Sequence, residues 1–178
     1  MKTKIFTIAT LVITGFAMAQ TFTLKSKDLG GQFVNAQFAN GFGCTGENVS
    51  PELNWENAPK ETKSFAVTMY DLDAPTGSGL WHWVVYNIPP SVTSLVSDSG
   101  SFTENKLPKG ATNGLNDIGV RGFFGACPPV GQVHRYIVTV YALNNSIQVD
   151  DNASAALTGF ILNKNTISKS SLIIYGKN

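Results

Sequence analysis

Histidine and cysteine each occur only twice in this chain, and charged residues make up just 14% of it. Those scarcities exclude a good deal. No His-x-x-His or Cys-x-x-Cys pair is present, so the short ligand spacings of a structural zinc site are missing. There is no G-x-S-x-G elbow and no P-loop, which removes two local signatures of hydrolytic and phosphate-handling enzymes. No stretch gathers lysine and arginine into the basic stripe that nucleic acid or an anionic membrane surface requires. Internal repeats and low-complexity tracts are absent too. Gly41-Phe42-Gly43-Cys44-Thr45-Gly46 does satisfy the dinucleotide pattern G-x-G-x-x-G. It leads into Glu47-Asn48-Val49-Ser50-Pro51, which cannot open the helix such a site needs, so this loop is expected only to turn the chain near a pocket.

Long apolar runs are missing as well, except at the start. Lys2 and Lys4 precede an apolar stretch from Ile5 to Phe16, and Ala17-Met18-Ala19 gives a small-x-small cleavage site before Gln20. Residues 1–19 thus read as a cleavable signal peptide, and the chain is expected to be secreted or periplasmic. No cysteine follows the cleavage site to carry a lipid. Residues 20–178 have the length of a single domain. Losing Lys2 and Lys4 takes the 13 basic residues to 11 against 12 acidic, a net charge of −1. In an exported chain, Cys44 and Cys127 suggest a disulfide; two buried free thiols are the alternative, because sequence does not place their Cα atoms within bridging distance.

What is abundant is β pattern. In Ser64 to Pro89, two β-like runs are joined by a short Asp, Pro and Gly rich connection. Phe65, Val67, Met69 and Asp71 share one parity, and His82, Val84, Tyr86 and Ile88 share another, because strand side chains alternate faces. Each row reads as core ending in a titratable group. If the rows are neighbours, a carboxylate and an imidazole emerge together at the rim of one core, where a small polar pocket would form. A third run, His134 to Tyr141, again begins with a histidine and carries Tyr136, Val138 and Val140 on its side.

The remaining chain gives short strands and many turns, the pattern of a sandwich or barrel. Phe22 and Leu24, Phe33 to Phe38 and Leu53 to Trp55 are expected strands. Ser97 to Gly131 has little periodicity and is expected as a loop walling the pocket. Near the C-terminus, Ala153, Ala156, Leu157, Phe160 and Ile161 recur at helical spacing, with Asp151 or Asn152 as the cap. A shorter helical piece around Thr166 to Ser170 and a last strand, Leu172 to Tyr175, follow.

Four motifs stand in order: Ser50-Pro51-Glu52-Leu53-x-Trp55, Asp71-x-Asp73-Ala74-Pro75, Trp81-His82-Trp83, and Cys127-Pro128-Pro129-x-Gly131 leading into His134-Arg135-Tyr136. Together they resemble the phosphatidylethanolamine-binding protein (PEBP) family, in its bacterial Raf-kinase-inhibitor-like branch, over nearly the whole chain after residue 20. The resemblance implies a mainly β fold, an antiparallel Greek-key β-sandwich with one or two short C-terminal helices. It also implies a pocket for a small anion, such as phosphate or a phospholipid headgroup, contacted by Asp71, His82, His134 and Tyr136 and walled by Pro129. Asp73 and Arg135 look like a supporting ion pair. Trp81 and Gly125 are supporting positions in stretches that depart from the family pattern: Leu80-Trp81 precedes His82 where some relatives place a wall residue, and Gly125-Ala126-Cys127 replaces a common Gly-Pro-Cys.

From residue chemistry alone, two carboxylates and two imidazoles allow three kinds of work. An imidazole beside a carboxylate keeps its proton near neutral pH and can bind an anion. Two His and two Asp could hold zinc, although the ligands come from separate motifs. Asp and His could activate a water, although Ser78 in its Thr76-Gly77-Ser78-Gly79 turn is not marked as a nucleophile. Anion binding is the expectation, with no cofactor, metal or catalytic residue assigned. The family also implies a protein-interaction module, a protease inhibitor being compatible with export. The partners expected are therefore a small anion or a protein such as a protease; a homodimer is left open.

Overall fold

The structure is a computed structural model that describes residues 20–178; the expected signal peptide, residues 1–19, lies outside the described residues. In chain order the strands are β1 (Thr23–Lys25), β2 (Asn40–Gly41), β3 (Cys44–Thr45), β4 (Leu53–Glu56), β5 (Ser64–Asp71), β6 (Leu80–Ile88), β7 (Ser94–Leu95), β8 (Thr112–Asn113) and β9 (Val133–Leu143). The helix α1 (Ala155–Asn165) and the last strand β10 (Thr166–Lys177) follow. The fold is mainly β and antiparallel, as the sequence implies.

A five-stranded sheet, ordered β10-β9-β5-β6-β8, packs against a three-stranded sheet ordered β1-β4-β7. Strand β5 lies at the centre of the larger sheet, and the long connection after β6 returns the chain as β9 on the other side of β5. Because both faces of β5 are covered, seven of its eight residues are buried, and its sequence carries no polar stripe. One face brings Phe65, Val67 and Met69 together with Trp83, Val85, Tyr136, Val138 and Val140 against Leu53, Trp55 and Leu95 of the smaller sheet. The other packs Ala66, Val84, Tyr86, Tyr141 and Leu143 against Ala155 and Leu162 of α1. Burying each such large apolar side chain contributes about 1.5–3 kcal/mol, so these two layers supply the driving force.

Strict alternation fails on β6. Met69 pairs with Trp83 and Tyr70 with Trp81, so His82 is an extra residue in a bulge; a second irregularity lies between the Phe65–Ile88 and Val67–Val85 pairs. Val84 and Tyr86 therefore face α1, while Ile88 returns to the inter-sheet core. The single row expected from His82 to Ile88 is split, because each bulge shifts the side-chain register by one.

Three further expectations are corrected. Phe33 to Phe38 is no strand but surrounds a 3-10 turn, Asn35–Gln37. Thr166 to Ser170 is not helical: it begins β10, whose pairing with β9 runs from Thr166 to Lys177 and overrides local preference. The helix is capped by Ser154, whose Oγ accepts from the Leu157 N–H, rather than by Asp151 or Asn152. Its buried face is Ala155, Thr158, Gly159 and Leu162, whereas Leu157 and Phe160 are exposed. Small residues let the helix axis approach the sheet.

Candidate functional site

The end of the large sheet brings four predicted residues together. Asp71 ends β5 directly opposite Tyr136 of β9, and His134 stands two residues earlier on the same side of β9. The His82 bulge turns its ring toward the same core, so that its centroid lies 5.3 Å from that of Tyr136; the His134 ring lies 6.5 Å from Tyr136. Asp71, His82 and His134 are all at most 3% exposed, and Tyr136 is fully buried. Polar groups this deep are costly unless hydrogen-bonded.

Most of that need is met within the protein. The His134 Nδ1–H donates to Asp71 Oδ2 at 2.8 Å, and the Asp73 backbone N–H donates to Asp71 Oδ1 at 2.9 Å. The Nε2 of His134 meets Oε1 of Gln132 at 3.2 Å. Each ring nitrogen of His134 thus faces a side-chain oxygen, and the Asp71 carboxylate fixes the orientation of the buried ring. His82 is different. Its Nδ1–H donates to the carbonyl oxygens of Phe124, at 2.9 Å, and Gly125, at 3.1 Å. Burial lowers its pKa below the ordinary histidine value, against the pull of those carbonyls and of Asp71. The ring is therefore neutral, with Nε2 as a bare acceptor. The carboxylate neighbour expected for a histidine is found at His134, whereas the acceptors against His82 are uncharged backbone.

Two buried polar atoms of the cluster, His82 Nε2 and the Tyr136 hydroxyl, have no hydrogen-bond partner among the described residues. Burial raises the Tyr136 pKa well above that of an ordinary phenol. The negative charge of the Asp71 carboxylate adds to this. Tyr136 is thus an unspent donor and His82 an unspent acceptor, on rings whose centroids lie 5.3 Å apart.

The other predicted residues divide. Arg135, on the opposite face of β9 from His134, grips Asp73 through Nε at 2.9 Å and Nη2 at 2.6 Å, and its backbone N–H adds a third bond at 2.8 Å. The guanidinium hydrogen bonds hold the Asp73 carboxyl far below the usual carboxylate range. This is the supporting ion pair the sequence suggests. Gly125 supports His82 through its carbonyl, and a Cβ there would lie 2.4 Å from the Ala39 nitrogen, so the close approach requires glycine. Cys44 and Cys127 are joined, with Cα atoms 5.8 Å apart, tying the β2–β3 hairpin to the strand-leading loop. Pro129 is exposed in that loop. Trp81 is not brought to the cluster: it faces the other way, paired with Tyr70 at 4.9 Å beneath α1.

Residues that the sequence did not single out complete the walls. Phe124 stacks on His82, with ring planes 15° apart, and also lines a separate cavity of about 480 Å³ with Phe123, Phe102 and Glu47. Asn48 brackets it, donating to the Phe123 carbonyl and accepting from the Gly125 N–H. Gln132 had a signal that could have found it, since it precedes His134 by two and so shares its side.

The sequence model of the phosphatidylethanolamine-binding protein family matches residues 29–176. The UPF0098 protein YbcL of Escherichia coli is 49% identical over 172 residues, 94% of this chain and 94% of that protein. The UPF0098 protein YbhB of the same organism is 44% identical over 152 residues, 84% of this chain and 96% of that one. A crystal structure of E. coli YbcL, described as a new member of the mammalian PEBP family, superimposes with a TM-score of 0.85 at 48% identity, covering 88% of this chain and 98% of that chain.

Proposed function

The chain belongs to the phosphatidylethanolamine-binding protein family, and from that premise we propose that it is a binding protein whose Asp71, His82, His134 and Tyr136 cluster holds a small, singly protonated oxyanion. Inorganic phosphate and the phosphomonoester of phosphoethanolamine, a free phospholipid headgroup, share this chemistry, whereas the diester of an intact lipid has no such proton. One observation carries the reading: two buried polar atoms on neighbouring rings, the His82 Nε2 and the Tyr136 hydroxyl, lack a partner among the described residues. Buried polar groups in folded proteins are almost always satisfied, so a pair left unsatisfied calls for a guest.

The guest's chemistry follows from what each group offers. Neutral His82 Nε2 accepts, so the ligand must bring a proton on one oxygen. Tyr136 donates, and so does the protonated His134, so other oxygens must accept; charge-assisted bonds to an oxyanion are the strong kind. A phosphate or phosphomonoester monoanion brings both kinds of oxygen. The buried Asp71 then orients His134 through its Nδ1 rather than touching the ligand.

Thermal denaturation with and without phosphate tests this. A ligand that binds only the folded state raises the melting temperature. Phosphate and phosphoethanolamine should stabilise the wild type and fail to stabilise Asp71→Ala and His134→Ala; equal shifts in all three proteins would refute the site.

We further propose export with removal of residues 1–19. Their lysine, apolar and small-x-small pattern supports this, and so does a disulfide, which suits an oxidising compartment. An N-terminus at Gln20 in protein from the native source would agree; a retained Met1 would not.

A further inference from the structure

Gln132 is an exposed residue whose side chain reaches inward to a buried one. Its Oε1 lies 3.2 Å from Nε2 of His134, while the His134 side chain is only 4% exposed. The carboxamide is therefore a polar lid on the solvent side of the imidazole. It fills the position that a ligand oxygen would need in order to accept from Nε2.

The chain around Gln132 is built to let it leave. Pro129, Val130, Gly131, Gln132 and Val133 are all exposed, so their displacement uncovers little core. The turn is closed by the Gln132 N–H donating to the Pro129 carbonyl at 2.9 Å, with Gly131 at φ +81°, a conformation that favours glycine. Its tie to the rest of the fold runs through the last residue: the Gly131 N–H donates to the Asn178 carbonyl at 3.0 Å, and Asn178 Nδ2 donates to the Pro128 carbonyl at 3.2 Å. Asp71, His134 and Tyr136, in contrast, sit on the paired ends of β5 and β9. A side-chain rotation of Gln132 would uncover Nε2 without moving them.

Resting on the oxyanion reading above, we propose that Gln132 is the specificity-determining residue of the site, a built-in competitor whose amide oxygen a ligand must displace from His134. An amide oxygen is a good neutral acceptor, so a ligand offering only hydroxyl groups gains nothing by replacing it. An oxyanion makes a charge-assisted bond of roughly twice the strength and prevails. Gln132 thereby lowers affinity for every ligand, and excludes uncharged polar ones such as glycerol. Giving up the Gln132 hydrogen bond, net of the water that then meets the exposed amide, corresponds to about two- to tenfold in affinity.

Two measurements on Gln132→Ala test this, and the exposed turn position keeps folding out of question. Deuterium exchange at the His134 Cε1–H, which proceeds from the protonated ring and is located by mass spectrometry, reports uncovering of the ring without any ligand. Phosphate titration reports competition. Gln132→Ala should label severalfold faster at His134 with His82 unchanged, bind phosphate about two- to tenfold more tightly, and begin to bind glycerol. Equal labelling rates, or equal phosphate affinity in the two proteins, would overturn the role of Gln132 while leaving the oxyanion site standing. Faster labelling with no phosphate binding to either protein would support the lid and overturn the oxyanion reading.

Discussion

His82 and Trp83 are adjacent in sequence yet point to the same side of the sheet, both toward the core between the two sheets. A regular strand would separate them. The bulge that joins them brings the imidazole into that core, whereas alternation would have put it under α1, and hands its Nδ1–H to two backbone carbonyls.

That burial has a pH signature. The unfolded ring takes up a proton near its ordinary pKa of 6.5, whereas the folded ring, with its pKa lowered by desolvation, does so only at lower pH. Between those two values the unfolded state binds more protons, so this contribution to stability is complete above about pH 6.5 and is lost as pH falls toward the folded pKa, at up to about 1.4 kcal/mol per pH unit. Urea unfolding at pH 7.5 and pH 5.5 should show a smaller loss of stability on acidification in His82→Gln than in the wild type. Identical losses would mean that the ring is not held neutral.

Gly159 sets the distance between α1 and the sheet. A Cβ there would meet the Trp81 ring at 2.8 Å. Helix propensity alone predicts that Gly159→Ala stabilises by about 1 kcal/mol, and overpacking predicts a cost of about 1–3 kcal/mol. The second effect should prevail, because Trp81 is also fixed by Tyr70. A lowered melting temperature in Gly159→Ala is the expected outcome, with phosphate binding retained.

The disulfide spans 83 residues of sequence. Chain entropy assigns such a closure about 4.5 kcal/mol. The bridge also anchors the segment whose Phe124 and Gly125 carbonyls orient His82, so Cys44→Ser combined with Cys127→Ser should lose several degrees of melting temperature and weaken phosphate binding. Full affinity in the double variant would show that strand pairing alone positions the loop.

Much of this site was legible because strands alternate. Asp71, His134 and Tyr136 lie on regular parts of β5 and β9, and parity alone brings them to one face. His82 reached the same place for a reason the sequence does not display, since a bulge is fixed by pairing with β5 rather than by local composition. The helical face was misread because a close approach to the sheet favours Ala, Thr and Gly, which carry little apolar signal, and leaves Leu157 and Phe160 in solvent. β10 was misread in its first half because its Ser and Thr residues have no clear period; pairing with β9 decides their conformation.

The most direct test is electron density from crystals of residues 20–178 grown with phosphate. The account predicts a phosphate within hydrogen-bonding distance of His82 Nε2, the Tyr136 hydroxyl and His134 Nε2, with the Gln132 side chain displaced. A saturating phosphate concentration that leaves these three atoms unoccupied by the anion, with Gln132 still on His134, would contradict it.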